Sequence, residues 1–330
     1  MLSRLGGSRY GYVLYLTSAV ILFLVLRISL LSYSPRPESE QKAFPIKGAD
    51  PSSEQSDFPP ETLVKSNGPG SHFPKKIWQS WKDDSENPTN KTVGFPHRWR
   101  VLNPAYRYER ITDDNSVAYV QRTFSSGISD VFTNVTDPIL RADFLRYLVM
   151  LKEGGVWSDM DVNPRQPIDT WIPDEYRDYV NVVIGIENDH QKQPIWPGVP
   201  YSVQLSQYVM ITKPGHLAFK KLVTEVTENL ERLLRSKRPG DRITFADVMS
   251  TTGPFAFTKT FMNYFIYVTG KEHTGDELNN LQEPKLIGDI LVLPKFAFGW
   301  LGHDHVPEKG DPKILVEHLF IWSWRDGHPS

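Results

Sequence analysis

One segment constrains the fold of this chain more than any other: Arg141–Val162, which reads RADFLRYLVMLKEGGVWSDMDV. Its first half is a dense apolar run, and Thr136-Asp137-Pro138 just ahead of it supplies a cap and a proline suited to the first helical position. Gly154-Gly155 stop that helix, and the aromatic and β-branched stretch Val156–Val162 reads as a strand. Helix, glycine break and strand in direct succession belong to an α/β unit. Asp143 and Arg146 are three residues apart and share one helix face. In an extended chain, alternation puts Asp159 and Asp161 on one side and Met160 on the other. Two convergent carboxylates make a hard oxygen site for Mg²⁺ or Mn²⁺, and such an ion completes its shell with water and substrate phosphates. The matching ligand is a nucleotide diphosphate, whose leaving charge a metal offsets. An isolated Asp-x-Asp triplet is more often a solvated turn. The Asp-x-x-Arg helix and glycine break ahead of it favour a site.

The rest of the chain divides by texture. Tyr12–Leu31 is apolar except for Arg27 and scattered hydroxyls, and a helix of that length spans the ~30 Å hydrocarbon core of a bilayer. It exceeds a signal peptide's apolar core and no A-x-A-like cleavage site follows, so a retained anchor at 12–31 is expected, with a cytoplasmic tail at 1–11. Residues 32–70 are rich in Pro, Ser, Glu and Gly and read as a disordered stem. At Pro74 the texture changes to KKIWQSW, and 71–330 is expected to form one folded domain. Expected strands are Lys76–Trp81, Tyr106–Thr112, Val156–Val162, Val180–Ile186, Gln207–Thr212, Asp289–Leu293 and Leu319–Trp324. The clearest helix runs from His216 to Arg235, with Phe219, Leu222, Val223, Val226, Leu230, Leu233 and Leu234 along one face. Strands interleaved with helices predict an α/β domain with a largely parallel sheet.

Composition removes several classes of function. The 37 Lys and Arg against 39 Asp and Glu are interspersed, so no broad basic face exists for nucleic acid. With no cysteine, thiolate metal sites, cysteine nucleophiles and disulfides are excluded. The sequons at Asn90 and Asn134 suit a lumenal location.

The opening FPKKIWQSWK, the block Arg141–Val162, the segment LSQYVMITKPGHLAF, the TTGP turn at Thr251–Pro254 and the ending HLFIWSW together resemble glycosyltransferase family 32, especially the fungal Golgi initiation-specific α-1,6-mannosyltransferases. The resemblance covers about residues 73–325 and implies a GT-A, Rossmann-like fold that uses Mn²⁺ or Mg²⁺ and GDP-mannose. By that resemblance Asp161 ligates the metal, Asp159 binds ribose or metal-bound water, and Asp143 and Arg146 hold the donor sugar, the four forming the catalytic set. His318 is a candidate third metal ligand beside Asp159 and Asp161, and Ser323 with Trp324 would touch the diphosphate. Trp322 stands where the family usually has a small residue. The family further implies an N-glycan acceptor on glycoproteins, a single-pass type II Golgi membrane location with a lumenal catalytic domain, and partner subunits of a mannosyltransferase complex.

Other residues allow two readings. Trp78 and Trp81 could stack on a nucleotide base, although alternate aromatics in a first strand more often build core. His303-Asp304-His305 could bind metal or ride on a loop over the acceptor, and Gln207 could touch a sugar or satisfy backbone groups. Mannosyl transfer to inositol-phosphorylceramide, a non-catalytic glycan-binding subunit and a phosphohydrolase are the competing functions. Phe255–Val268 is too short to be the additional span that the lipid-directed enzymes tend to carry.

Overall fold

The computed structural model describes residues 72–85, 91–191, 193–195, 201–238, 240–299 and 313–321. The expected anchor at 12–31, the stem at 32–70, His303-Asp304-His305, Ser323 and Trp324 lie outside the described residues. Among those that are described, no helix is long and apolar enough to cross a membrane.

In chain order the strands are β1 (Lys76–Trp81), β2 (Arg107–Thr112), β3 (Gly155–Ser158), β4 (Val162–Pro164), β5 (Val182–Asp189), β6 (Val203–Leu205), β7 (Val209–Thr212), β8 (Lys285–Ile287), β9 (Ile290–Leu293) and β10 (Val316–His318). The α-helices are α1 (Phe95–Leu102), α2 (Asp113–Thr123), α3 (Ser126–Asn134), α4 (Pro138–Glu153), α5 (Leu217–Ser236), α6 (Phe245–Thr251), α7 (Pro254–Thr269) and α8 (Lys295–Gly299). The main sheet runs β2-β1-β3-β7-β5-β9-β8, with β6 joined to β5, and β4 pairs with β10 in a separate ribbon.

The sheet is mixed, not largely parallel. β1 is parallel to β2 and β3, and β5 to β9, but β7 runs antiparallel to both β3 and β5. Among the described residues no α-helix separates β5 from β7, and the chain returns along the sheet antiparallel, whereas parallel pairs need a longer crossover. The sequence-predicted strand Val156–Val162 is also two strands, β3 and β4, with a turn at Asp159–Asp161 between them. Of the predicted strand Leu319–Trp324 the described residues 319–321 are not strand, β10 lies just before them at Val316–His318, and 322–324 lie outside the described residues.

Period-two alternation builds a core on each face of the sheet. Trp78, Trp157, Val182 and Ile184 face one core with Phe144, Leu148, Phe219, Phe257 and Phe261. Ile77, Val156 and Val183 face the other, with Trp99, Trp171 and Phe298. Each fully buried side chain of this size contributes about 1.5–3 kcal/mol. Helix α5 buries the predicted stripe except for Leu234, which is 37% exposed.

The junction of α4 and β3 positions the chemistry. Asp137 Oδ1 accepts from the amides of Ile139 and Leu140 at 3.1 and 3.3 Å, and Pro138 opens α4. Gly154 and Gly155 have φ of +61° and +92°, and a Cβ on them would stand 2.7 Å from the carbonyls of Thr212 and Lys76. Only glycine lets the chain leave the helix and enter the sheet between β1 and β7 at that distance.

Candidate active site

Helix α4 is buried almost all round, and it carries two charges inward. Asp143 is 1% exposed and Arg146 4%. The Arg146 guanidinium bridges two carboxylates: Nη1 donates to Asp143 Oδ1 at 2.6 Å, and Nη2 reaches both Asp159 oxygens at 3.0 Å. It lies 5.6 Å from the centre of the Trp157 ring, whose Nε1 donates to Asp159 Oδ1 at 2.8 Å. Burial pushes the Asp143 carboxyl up to about 6 against the pull of Arg146 and Thr252. Burial works against the Arg146 charge too, but Asp159 and Asp143 outweigh it and hold the guanidinium ionised.

Three further side chains complete this network, two of them not identified from sequence. Thr252 Oγ1 donates to Asp143 Oδ2 at 2.9 Å, and Gln207 Nε2 donates to Asp143 Oδ1 at 3.2 Å. The Tyr147 hydroxyl sits between Gln207 Oε1 and the Thr252 carbonyl. Gln207 therefore bonds to the side chains of Asp143 and Tyr147, not to backbone groups, and buttresses Asp143. Thr252 belongs to the TTGP turn between α6 and α7, so that turn is part of the site's wall. Its threonine was legible as part of a motif, but its partner was not.

At the other end of the turn the surroundings change. The Asp159 amide donates to the Tyr208 carbonyl at 2.8 Å, and Val162 N closes the turn on Asp159 O at 3.2 Å. The extended alternation expected through Asp159 and Asp161 does not hold, and the two carboxylates take separate partners. Asp161 Oδ2 accepts from the Ile321 amide at 3.0 Å, and Oδ1 is 3.3 Å from His318 Nε2. β10 pairs antiparallel with β4, His318 opposite Val162, and this brings the histidine to Asp161. The His318 ring lies between Tyr208 and Phe320, 3.9 Å from each ring centre. Phe320 has φ of +46°, a strained conformation for a side-chain-bearing residue that recurs where a loop is fixed around a site. Burial raises the Asp161 carboxyl, but the His318 and Ile321 contacts outweigh it and hold it below the ordinary carboxylate range.

The structure thus brings Asp143, Arg146 and Asp159 into one ion-paired group and Asp161 and His318 into another. Trp78 belongs to the core: it is 6% exposed, and its Nε1 donates to the Gly154 carbonyl at 3.0 Å. That geometry favours the core reading over base stacking. Among the described residues no three His, Asp or Glu side chains stand as a ready metal cage. Asp161 and His318 nevertheless fit a divalent cation, since a hard carboxylate oxygen and the imidazole Nε2 stand 3.3 Å apart, close enough to share one ion. Two protein ligands suffice where phosphates and water supply the rest. Asp159, with both oxygens held by Arg146, is less free to ligate.

Residues 90–178 match the family model described as "Glycosyltransferase sugar-binding region containing DXD motif". The chain is 36% identical over 261 residues to the "Initiation-specific alpha-1,6-mannosyltransferase" of Schizosaccharomyces pombe, covering 77% of this chain and 64% of that protein. It is 31% identical over 281 residues to the "Putative glycosyltransferase HOC1" of Saccharomyces cerevisiae, covering 82% and 68%. Similarity to the "Mannosyl phosphorylinositol ceramide synthase SUR1" of the same yeast is 24% and reaches 53% of this chain and 41% of that one.

Proposed function

This chain belongs to the DXD-motif glycosyltransferases represented by the fungal initiation-specific α-1,6-mannosyltransferases, and from that premise we propose that it transfers mannose from GDP-mannose to N-linked glycans, forming an α-1,6 linkage. The observation that carries the reading is the split Asp-x-Asp turn. Asp159 closes onto the Asp143–Arg146 pair, while Asp161 and His318 present an oxygen and a ring nitrogen suited to a metal-bound diphosphate. A GT-A arrangement fits this layout, with β1, β2 and β3 forming the parallel nucleotide-side part of the sheet and the turn at the end of β3.

When bound, a divalent cation, in this reading Mn²⁺, supplies charge that stabilises the departing diphosphate. Asp161 and His318 would hold it. Arg146 keeps a fixed positive charge beneath the sugar-binding surface, and it needs no solvent reorganisation when negative charge develops nearby. Asp143, anchored by Thr252, Gln207 and Arg146, is pre-oriented so that it does not collapse onto the ligand. The reaction is proposed to occur in the Golgi lumen, behind the anchor expected at 12–31. The lipid-directed alternative is less favoured, because the SUR1 match is lower in identity and shorter. Purified protein given GDP-mannose, Mn²⁺ and a high-mannose N-glycan should release GDP and lengthen the glycan. Turnover of UDP-sugars in preference to GDP-mannose, or transfer to inositol-phosphorylceramide alone, would replace the reading.

A further inference from the structure

Glu187 has no part in the site outlined so far, yet it stands beside it. It lies near the end of β5, where the pairing with β6 slips: Ile186 faces Leu205, and Asn188 faces Gln204. Glu187 is the extra residue of this bulge, and a bulge re-aims the side chain it carries. Gln204 Nε2 donates to Glu187 Oε2 at 2.9 Å and fixes the carboxylate. The side chain is half-buried, and burial pushes its carboxyl above the ordinary range while the charges of His318, Asp159 and Arg146 act on it.

The surroundings of Glu187 are polar and incompletely bonded. Ser206 Oγ, Tyr208 Oη, His318 Nδ1 and Arg146 Nε are buried without a hydrogen-bond partner, each on a side chain more than nine-tenths buried. Buried polar groups are ordinarily satisfied, and these four atoms have no partner within the protein. β7 separates β3 from β5, and two strand spacings place the Glu187 strand about 10 Å from the strand that leads to Asp159. A carboxylate repels a diphosphate but accepts readily from neutral hydroxyls.

We propose that Glu187, fixed by the β5 bulge and Gln204, binds hydroxyls of the acceptor sugar on the far side of the transferred hexose from the diphosphate. This rests on the transferase reading, and the acceptor is a neutral, mannose-rich glycan in that reading. Glu187 is a binding and specificity residue; Gln204 positions it.

The test compares wild type, Glu187→Gln and Glu187→Ala with GDP-mannose, Mn²⁺ and a high-mannose N-glycan. The acceptor KM should rise about tenfold for Glu187→Gln, from the loss of charge-assisted hydrogen bonds, and further for Glu187→Ala. Binding of GDP plus Mn²⁺, measured by calorimetry, should stay within about twofold of wild type. Should Glu187→Ala fail to fold, the isosteric Glu187→Gln carries the test alone. An unchanged acceptor KM, or GDP binding that falls in step with transfer, overturns the assignment. A wild-type protein that turns over no nucleotide-sugar overturns the transferase reading itself, whereas an active wild type with an indistinguishable Glu187→Gln overturns Glu187 alone.

Discussion

The two ends of the Asp159-Met160-Asp161 turn are two residues apart in sequence and differ in almost every physical respect. Asp159 is held by Arg146 and Trp157, and Arg146 in turn by Asp143, in a network where nearly every polar atom has a protein partner. Asp161 meets one histidine nitrogen and one backbone amide at the edge of a two-stranded ribbon. The first end is closed largely by protein partners; the second is the end proposed to take a ligand. In the proposed reading this short motif divides its labour, with Asp159 holding the site's shape and Asp161 left for the cation.

This contrast breaks most visibly in stability. Arg146→Ala leaves two carboxylates facing each other without their cation, and removing one partner of a buried ion pair costs about 3–5 kcal/mol. Denaturant unfolding should register that loss, and His318→Ala, at the other end, should cost far less. Equal costs would mean that the two ends are not different in kind.

The pH dependence of stability sharpens the same point. Asp143 is raised from 3.8 to about 6, mainly by burial, so the folded protein binds this proton more tightly than the unfolded chain does. Its contribution is fully present below about pH 4 and is lost as pH rises through about 6. Asp161 is lowered, so its contribution has the opposite sign: present above the ordinary carboxylate range and lost on acidification. Melting curves between pH 4 and 7 should show the Asp143 slope in wild type and a flatter profile in Asp143→Asn. A profile unaffected by that substitution would put the titration elsewhere.

A smaller effect is expected from Thr252→Val, which removes one hydrogen bond to the buried Asp143 carboxylate at the cost of about 1.5–3 kcal/mol. Acceptor transfer should weaken with it, because Asp143 loses its orientation. A variant as stable as wild type would show that the TTGP turn packs against Asp143 without bonding it.

Much of this was legible in the sequence wherever the signal was local. The Asp137-Pro138 cap, the Gly154-Gly155 break, the stripe along α5 and the pairing of Asp143 with Arg146 all follow from spacing within one element. What escaped depends on contacts distant in the chain. The antiparallel placement of β7 is a matter of connection, not of any residue in it. The turn at Asp159–Asp161 forms inside a stretch whose residues favour a strand, because its backbone bonds go to Tyr208 and to Leu319 in the closing segment. Thr252 reaches Asp143 across 109 positions, and the Glu187 bulge is visible only once β6 is paired. His318 was named from resemblance alone; its approach to Asp161 comes from the β4–β10 ribbon.

The most direct test of the division between the two carboxylates is calorimetric titration of GDP, with and without Mn²⁺, into wild type, Asp161→Asn and Asp143→Asn. Asp161→Asn keeps the shape of the side chain but removes charge from a hard-cation ligand, so Mn²⁺-dependent GDP binding should weaken by about 10²-fold or more while the fold survives. Asp143→Asn should bind GDP and Mn²⁺ nearly as wild type does, because its partners are Arg146, Gln207 and Thr252. Wild-type GDP binding by Asp161→Asn, or an equal loss in both variants, would contradict the account.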